Sequence, residues 1–136
     1  MRYLLDVNVL VAWGWADHVE HRRTASWIAD TKGRPGIKFL TSAIPELGFV
    51  RVSVQRTGGQ LPVSAAAVTL AGMLASLGSQ HEFLADDLAS TEKWPAWCAA
   101  ASRTTDAHLQ ALAARHGASL LTLDAGIPGA LLLTPP

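Results

Sequence analysis

The sequence predicts an α/β domain in which a central, mostly parallel sheet of about five strands is flanked by helices. Short apolar runs alternate along the chain with segments of helical spacing, the pattern of strands joined by crossover helices. The 136 residues fit a single domain spanning 1–136, 49% of them apolar, ample for a core. No repeat, low-complexity tract or charge block interrupts the pattern.

The elements follow in order. Tyr3-Leu4-Leu5 is a short apolar run that ends at an acid and reads as a buried strand. Asp17, with Glu20 three residues on, has the form of a capping box. It opens a helix whose face is supplied by Val19, Ala25, Ile28 and Ala29 and which Gly33 stops. Lys38-Phe39-Leu40-Thr41 is a second strand. Ser42 then caps a segment in which Ile44, Leu47, Val50 and Val54 keep helical spacing. Val50, Val52 and Val54 also alternate as a strand would, but helix is preferred, ending at Gly58-Gly59. A helix over Ser64–Leu77 presents Ala67, Leu70, Ala71 and Leu74, and His81-Glu82-Phe83-Leu84 forms the next strand. Residues 87–103 carry no clear period, and Trp94-Pro95-Ala96-Trp97 indicates an irregular loop. Thr104 or Thr105 caps a helix with Ala107, Leu109, Leu112 and Ala113 inward, stopped at Gly117. Ser119–Leu123 is a core strand. Ala130–Leu133 is a final one, ended by Pro135.

Composition narrows the function classes. No apolar stretch approaches the ~20 residues that a membrane span requires, so no membrane role is expected. The run after Met1–Tyr3 is broken by Asp6 and Asn8, which is not a signal peptide and points to the cytoplasm. A single cysteine, Cys98, excludes an internal disulfide and a cysteine-built zinc site. Only 16% of residues are charged and mean hydropathy is +0.21, so an apolar surface covered by a partner is expected. Net charge is zero, so binding of a nucleic acid would require local segregation of positive charge or a metal.

Four acids occupy comparable places. Asp6 and Asp124 directly follow apolar strands, whereas Glu46 and Asp106 stand in the first turn of the element after a strand or cap. In an open parallel sheet, strand ends and the helix starts beside them share one edge, where ligands bind. Two unit charges ~5 Å apart repel by roughly 3 kcal/mol at an effective dielectric of about 20, so four gathered carboxylates call for a cation. Mg²⁺ or Mn²⁺ suits such oxygen donors and would activate water against a phosphodiester. Singly, each acid has a plainer reading: Glu46 and Asp106 complement a helix dipole, and Asp6 and Asp124 form turns or caps. The joint pattern favours the metal site.

Leu4-Leu5-Asp6-Val7-Asn8-Val9-Leu10, Thr41-Ser42 with Glu46, Arg103-Thr104-Thr105-Asp106-Ala107-His108-Leu109 and Thr122-Leu123-Asp124 together resemble the PIN-domain toxins called VapC. The likeness implies a three-layer fold and a Mg²⁺- or Mn²⁺-dependent endoribonuclease. It also implies the toxin of a type II toxin–antitoxin pair, dimeric and silenced by a small antitoxin. By position, Asp6, Glu46, Asp106 and Asp124 match the metal-binding and catalytic acids. Asn8 matches the polar residue that orders the first acid, and Thr122 the hydroxyl two before the last. Ile127 stands where the family often places an aromatic.

Other residues carry weaker signals. Arg103 could contact phosphate or pair with a cleft carboxylate. His18 and His21 read as solvent-facing, and His108 points away from Asp106 on a helix. Arg22, Arg23, Lys32 and Arg34 form the main basic cluster, a solvated face or an RNA surface. Asp86-Asp87 caps a turn after the third strand. The five tryptophans suit an antitoxin or dimer interface. A haloacid-dehalogenase-type phosphatase wants Asp-x-Asp where this chain has Asp6-Val7-Asn8, and a receiver domain wants a late lysine where none follows Lys93. The remaining rival is a catalytically silent PIN-like module that binds RNA or an antitoxin.

Overall fold

A computed structural model describes residues 1–91 and 94–133. Its strands are β1 (Arg2–Leu5), β2 (Lys38–Ser42), β3 (His81–Leu84), β4 (Ser119–Thr122) and β5 (Leu131–Leu132). They form one five-stranded sheet in the order β3-β2-β1-β4-β5, and every neighbouring pair is parallel. The helices are α1 (Val7–Gly14), α2 (His21–Thr31), α3 (Ala43–Arg56), α4 (Val63–Ser76) and α5 (Thr104–Arg115). Pro135, expected to end the last strand, lies outside the described residues.

Strand alternation sorts the core into two layers. Tyr3, Leu5, Phe39 and Leu121 face one side, where they pack with Val9, Leu10, Ile28, Phe49 and Leu70 from α1 to α4. Leu4, Leu40, Leu84 and Leu120 face the other, against Leu109, Leu112 and Ala113 of α5. The result is helices, sheet, helix: three layers.

Connectivity then selects the functional edge. From β1 the chain steps outward through β2 to β3, then returns to lay β4 on the opposite side of β1. The carboxyl ends of β1 and β4 therefore flank the point where strand order reverses, the place where open α/β sheets bind ligands.

Several local readings need correction. Helix α1 begins immediately after Asp6 and was not foreseen, because its Val9, Leu10, Val11 and Ala12 are all buried and show no amphipathic period. The capping box does not form. Asp17 pairs instead with Arg56 at 3.2 Å, Glu20 precedes α2 without a side-chain cap, and Val19 is 90% exposed. The face α2 buries is Thr24, Ile28 and Thr31. In α3 the buried face is Pro45, Gly48, Phe49 and Ser53, while Leu47 is exposed. The cause is close packing: a Cβ on Gly48 would lie 2.5 Å from a methyl of Val7, so α3 meets α1 through its small residues. In α4, Ala66 and Leu70 are buried, and Ala67 and Ala71 are exposed.

Candidate active site

The site is built where β1 and β4 end. Asp6 follows the last residue of β1, and its backbone N–H still bonds Leu121 of β4 at 3.0 Å. Its carboxylate then caps α1: Oδ1 accepts the N–H of Val7 at 2.7 Å. The other oxygen, Oδ2, accepts the hydroxyl of Thr122 at 2.8 Å. Asp6 is thus buried and fixed at both oxygens, each keeping a lone pair free.

Thr122 is the hub of a small network. Its Oγ1 accepts from the side-chain amide of Asn8 at 3.3 Å and from the backbone N–H of Asp124 at 3.0 Å. The carbonyl oxygen of Asn8 accepts the N–H of Leu123 at 3.1 Å. Asn8 and Thr122 therefore couple the first turn of α1 to the segment carrying Asp124; Asn8 reaches Asp6 only through Thr122. Asp124 folds back in an Asx turn, accepting the N–H of Gly126 at 2.8 Å. Ile127 is buried among Leu4, Leu40 and Leu109, so it anchors this loop in the α5-side core.

Asp106, in the first turn of α5, reaches the same pole, as its electrostatics show. Burial raises the proton affinity of Asp6, its two hydrogen bonds oppose the shift, and the charges of Asp106 and Asp124 add to it. Burial raises that of Asp106 too, reinforced by Asp124 and opposed by Arg103. Asp106 and Asp124 thus both act on Asp6 at the switch point. Arg103 takes the carboxylate-pairing role: its Nε lies 3.9 Å from Asp106, it donates to the carbonyl of Gly126, and it sits 5.2 Å over the ring of Trp97.

Glu46 is held differently. Its Oε2 accepts the hydroxyl of Thr41 at 2.6 Å, and that same Oγ1 lies 2.7 Å from Nε2 of His81. Thr41 has a single proton and gives it to the carboxylate, so Nε2 of His81 must carry the proton it donates. Burial lowers the proton affinity of His81, with Glu46 and Glu82 opposing. His81 and its link to Glu46 were not singled out in the sequence; the contact arises from β2–β3 register, where Phe39 pairs with His81.

A divalent ion fits the donor types but not a finished cage. All the donors are oxygens, the set that Mg²⁺ and Mn²⁺ prefer. Ser42, at the end of β2, has a fully buried hydroxyl without a partner among the described residues, as a site awaiting ordered water would leave it. Among the described residues, no three His, Cys, Asp or Glu side chains are yet gathered closely enough to chelate an ion. Mutually repelling aspartates would have to draw together on binding.

His108 and His21 make structural contacts. His108 binds Asp86 at 2.6 Å, away from Asp106, and Asp86 also caps a turn through the N–H of Leu88. His21 is not solvent-facing: its Nδ1 bonds the carbonyl of Ala12 at 2.8 Å. Trp15 stacks on Phe49 and donates to Ser53, within the core.

A parallel five-stranded sheet with helices on both faces and three aspartates at its switch point defines an α/β domain with an acidic, metal-suited edge. The family model for the PIN domain matches residues 3–129. Ribonuclease VapC39 of Mycobacterium tuberculosis is 37% identical over 131 residues, covering 93% of this chain and 91% of that protein. Ribonuclease VapC38 of the same organism is 36% identical over 126 residues, covering 91% and 86%. In fold, the chain is similar to the crystal structure of M. tuberculosis VapC20, described as a Sarcin-Ricin loop cleaving toxin. The TM-score is 0.63 at 13% identity, covering 98% of this chain and 99% of that one. The chain belongs to the PIN domain family.

Proposed function

We propose that this protein is an endoribonuclease, the toxin of a type II toxin–antitoxin pair, dependent on Mg²⁺ or Mn²⁺. The observation that carries the reading is the placement of Asp6 after β1, Asp124 after β4 and Asp106 at the start of α5, with Asp6 and Asp106 lining one cleft, in a chain that resembles proteins named ribonucleases over nearly its whole length. Asp6, Asp106 and Asp124 would hold the ion, with Glu46 joining them from the first turn of α3. When bound, the ion supplies Lewis acidity that makes water a better nucleophile and charge that offsets the phosphodiester's.

The protein's own groups prepare that site. Thr122 and the N–H of Val7 fix both oxygens of Asp6, and hydrogen bonding to the ionised form opposes the effect of its burial. Asn8 fixes Thr122, and the Gly126 N–H orients Asp124. Arg103 offsets the charge of Asp106 and pins the Gly126 loop, a clamp on the acids rather than a phosphate contact. Leu47, Val63 and Val68 are exposed on α3 and α4, an apolar surface that suits the antitoxin and a second copy of the chain. A cytoplasmic location fits this role, and no helix among the described residues is long and apolar enough to cross a membrane.

Incubation with transfer, ribosomal and messenger RNA, with and without Mn²⁺, tests the proposal. Wild type cuts one of these classes only with metal, and Asp6→Asn abolishes the cut. Metal-dependent cutting that survives Asp6→Asn would displace the site. Cutting of none of the three would leave the binding-only alternative.

A further inference from the structure

The acidic pole is one end of an open cleft of about 540 Å³, and the rest of that cleft is not acidic. Asp6 and Asp106 line it together with His18, Arg51 and Arg56. Resting on the nuclease reading above, we propose that Arg51, with His18 and Arg56, binds a phosphate of the RNA strand flanking the one that is cut.

Three observations carry this. First, Arg51 is exposed, and among the described residues no carboxylate lies within ion-pair reach of it, although two acids share its cleft. The cation that acts on Asp106 is Arg103, and the charges that act on Asp6 are acidic. Arg51 thus shares a cleft with Asp6 and Asp106 while lying beyond ion-pair reach of both, which leaves it available to an anion entering the cleft.

Second, His18 is set to donate. Its Nδ1 accepts the N–H of Glu20 at 3.0 Å, so the proton of the neutral ring sits on Nε2. Burial lowers the proton affinity of the ring, with Arg56 adding and Glu20 and Asp17 opposing, and the Nε2–H is a donor that a phosphate oxygen can accept from. Third, Arg56 is only loosely engaged: its partner Asp17 has an 80% exposed side chain, and such surface pairs contribute little. A chain of zero net charge therefore concentrates available donors beside its acids. Arg22, Lys32 and Arg34 on and after α2 are exposed but line no part of this cleft.

The test is metal-free binding of a fluorescein-labelled, mixed-sequence single-stranded RNA, followed by anisotropy across a salt series in EDTA. Arg51→Gln should weaken binding about tenfold whatever the sequence and lower the salt slope by about 1. Arg51→Lys should recover most of the affinity, and Arg22→Gln, which removes the same charge elsewhere, should match wild type. With Mn²⁺, Arg51→Gln should raise KM while kcat at saturating RNA persists. If Arg51→Gln binds as wild type does, or Arg22→Gln is equally weakened, the assignment is wrong. Should wild type cut RNA while Arg51→Gln behaves identically, only this inference falls; should wild type neither bind nor cut, the nuclease reading falls with it.

Discussion

Asp6 and Glu46 both follow strands at the same edge of the sheet, yet their surroundings differ. Asp6 is fixed by Thr122 and Val7 and feels the charges of Asp106 and Asp124. Glu46 is fixed by Thr41 and, through it, by His81. Strand parity explains the difference. Thr122 alternates with Leu120 toward the α5 layer, the layer that delivers Asp106. Thr41 alternates with Phe39 toward the opposite layer, where α3 starts. The hydroxyls that fix the two carboxylates thus lie on opposite faces, with β1 between their strands, so reaching a common edge does not by itself give two acids the same partners.

That contrast sets the order of effects. Asp106→Asn should lower the rate of RNA cleavage on the order of 10³-fold, because a carboxylate proposed to hold the ion is lost. Thr122→Val frees an oxygen of Asp6 and unties Asn8 and Asp124, and should lower it about 10- to 100-fold. Thr41→Val, acting only on Glu46, should lower it less than about tenfold, and Thr41→Ser should restore it. Single-turnover rates at saturating Mn²⁺ rank the three; a Thr41→Val defect equal to that of Thr122→Val would place Glu46 at the centre. Gly48→Ala should leave the acids in place but cost about 1–3 kcal/mol in urea unfolding, since its methyl would overlap Val7.

The same contrast shows what a sequence carries. Leu4-Leu5, Phe39-Leu40 and Leu120-Leu121 are apolar on both faces, which marks buried parallel strands, so the positions of Asp6 and Asp124 beyond their ends were legible. The body of α5 was legible for another reason: Ala107, Leu109, Leu112 and Ala113 keep their inward spacing, although the helix starts at Thr104 after Arg103 with no side-chain cap from Thr104 or Thr105. Helix α1 was not, since Val9 to Ala12 are buried all round. Nor was the inward face of α3, because Gly48 and Ser53 are chosen for close approach to neighbours, and hydropathy pointed to Leu47 instead. The link from His81 to Glu46 and the cleft position of Arg51 depend on register and helix packing, which residue spacing does not encode.

On the proposed reading, Asp106 and Asp124 repel Asp6 until a cation joins the three. Because folding raises the proton affinity of Asp6 and Asp106, their protonated forms stabilise the native state below the ordinary carboxylate value, and that stability is lost as pH rises through the elevated ones. Thermal melts of wild type and Asp106→Asn, with and without Mn²⁺, at acidic and neutral pH, test this directly. Metal-free wild type should melt lower at neutral pH than near about pH 4 through these groups, and Mn²⁺ should raise its Tm at neutral pH. Asp106→Asn should melt roughly 3 °C higher than wild type without metal and respond little to it. A wild type indifferent to millimolar Mn²⁺, together with an Asp106→Asn variant no more stable than wild type, would contradict the account.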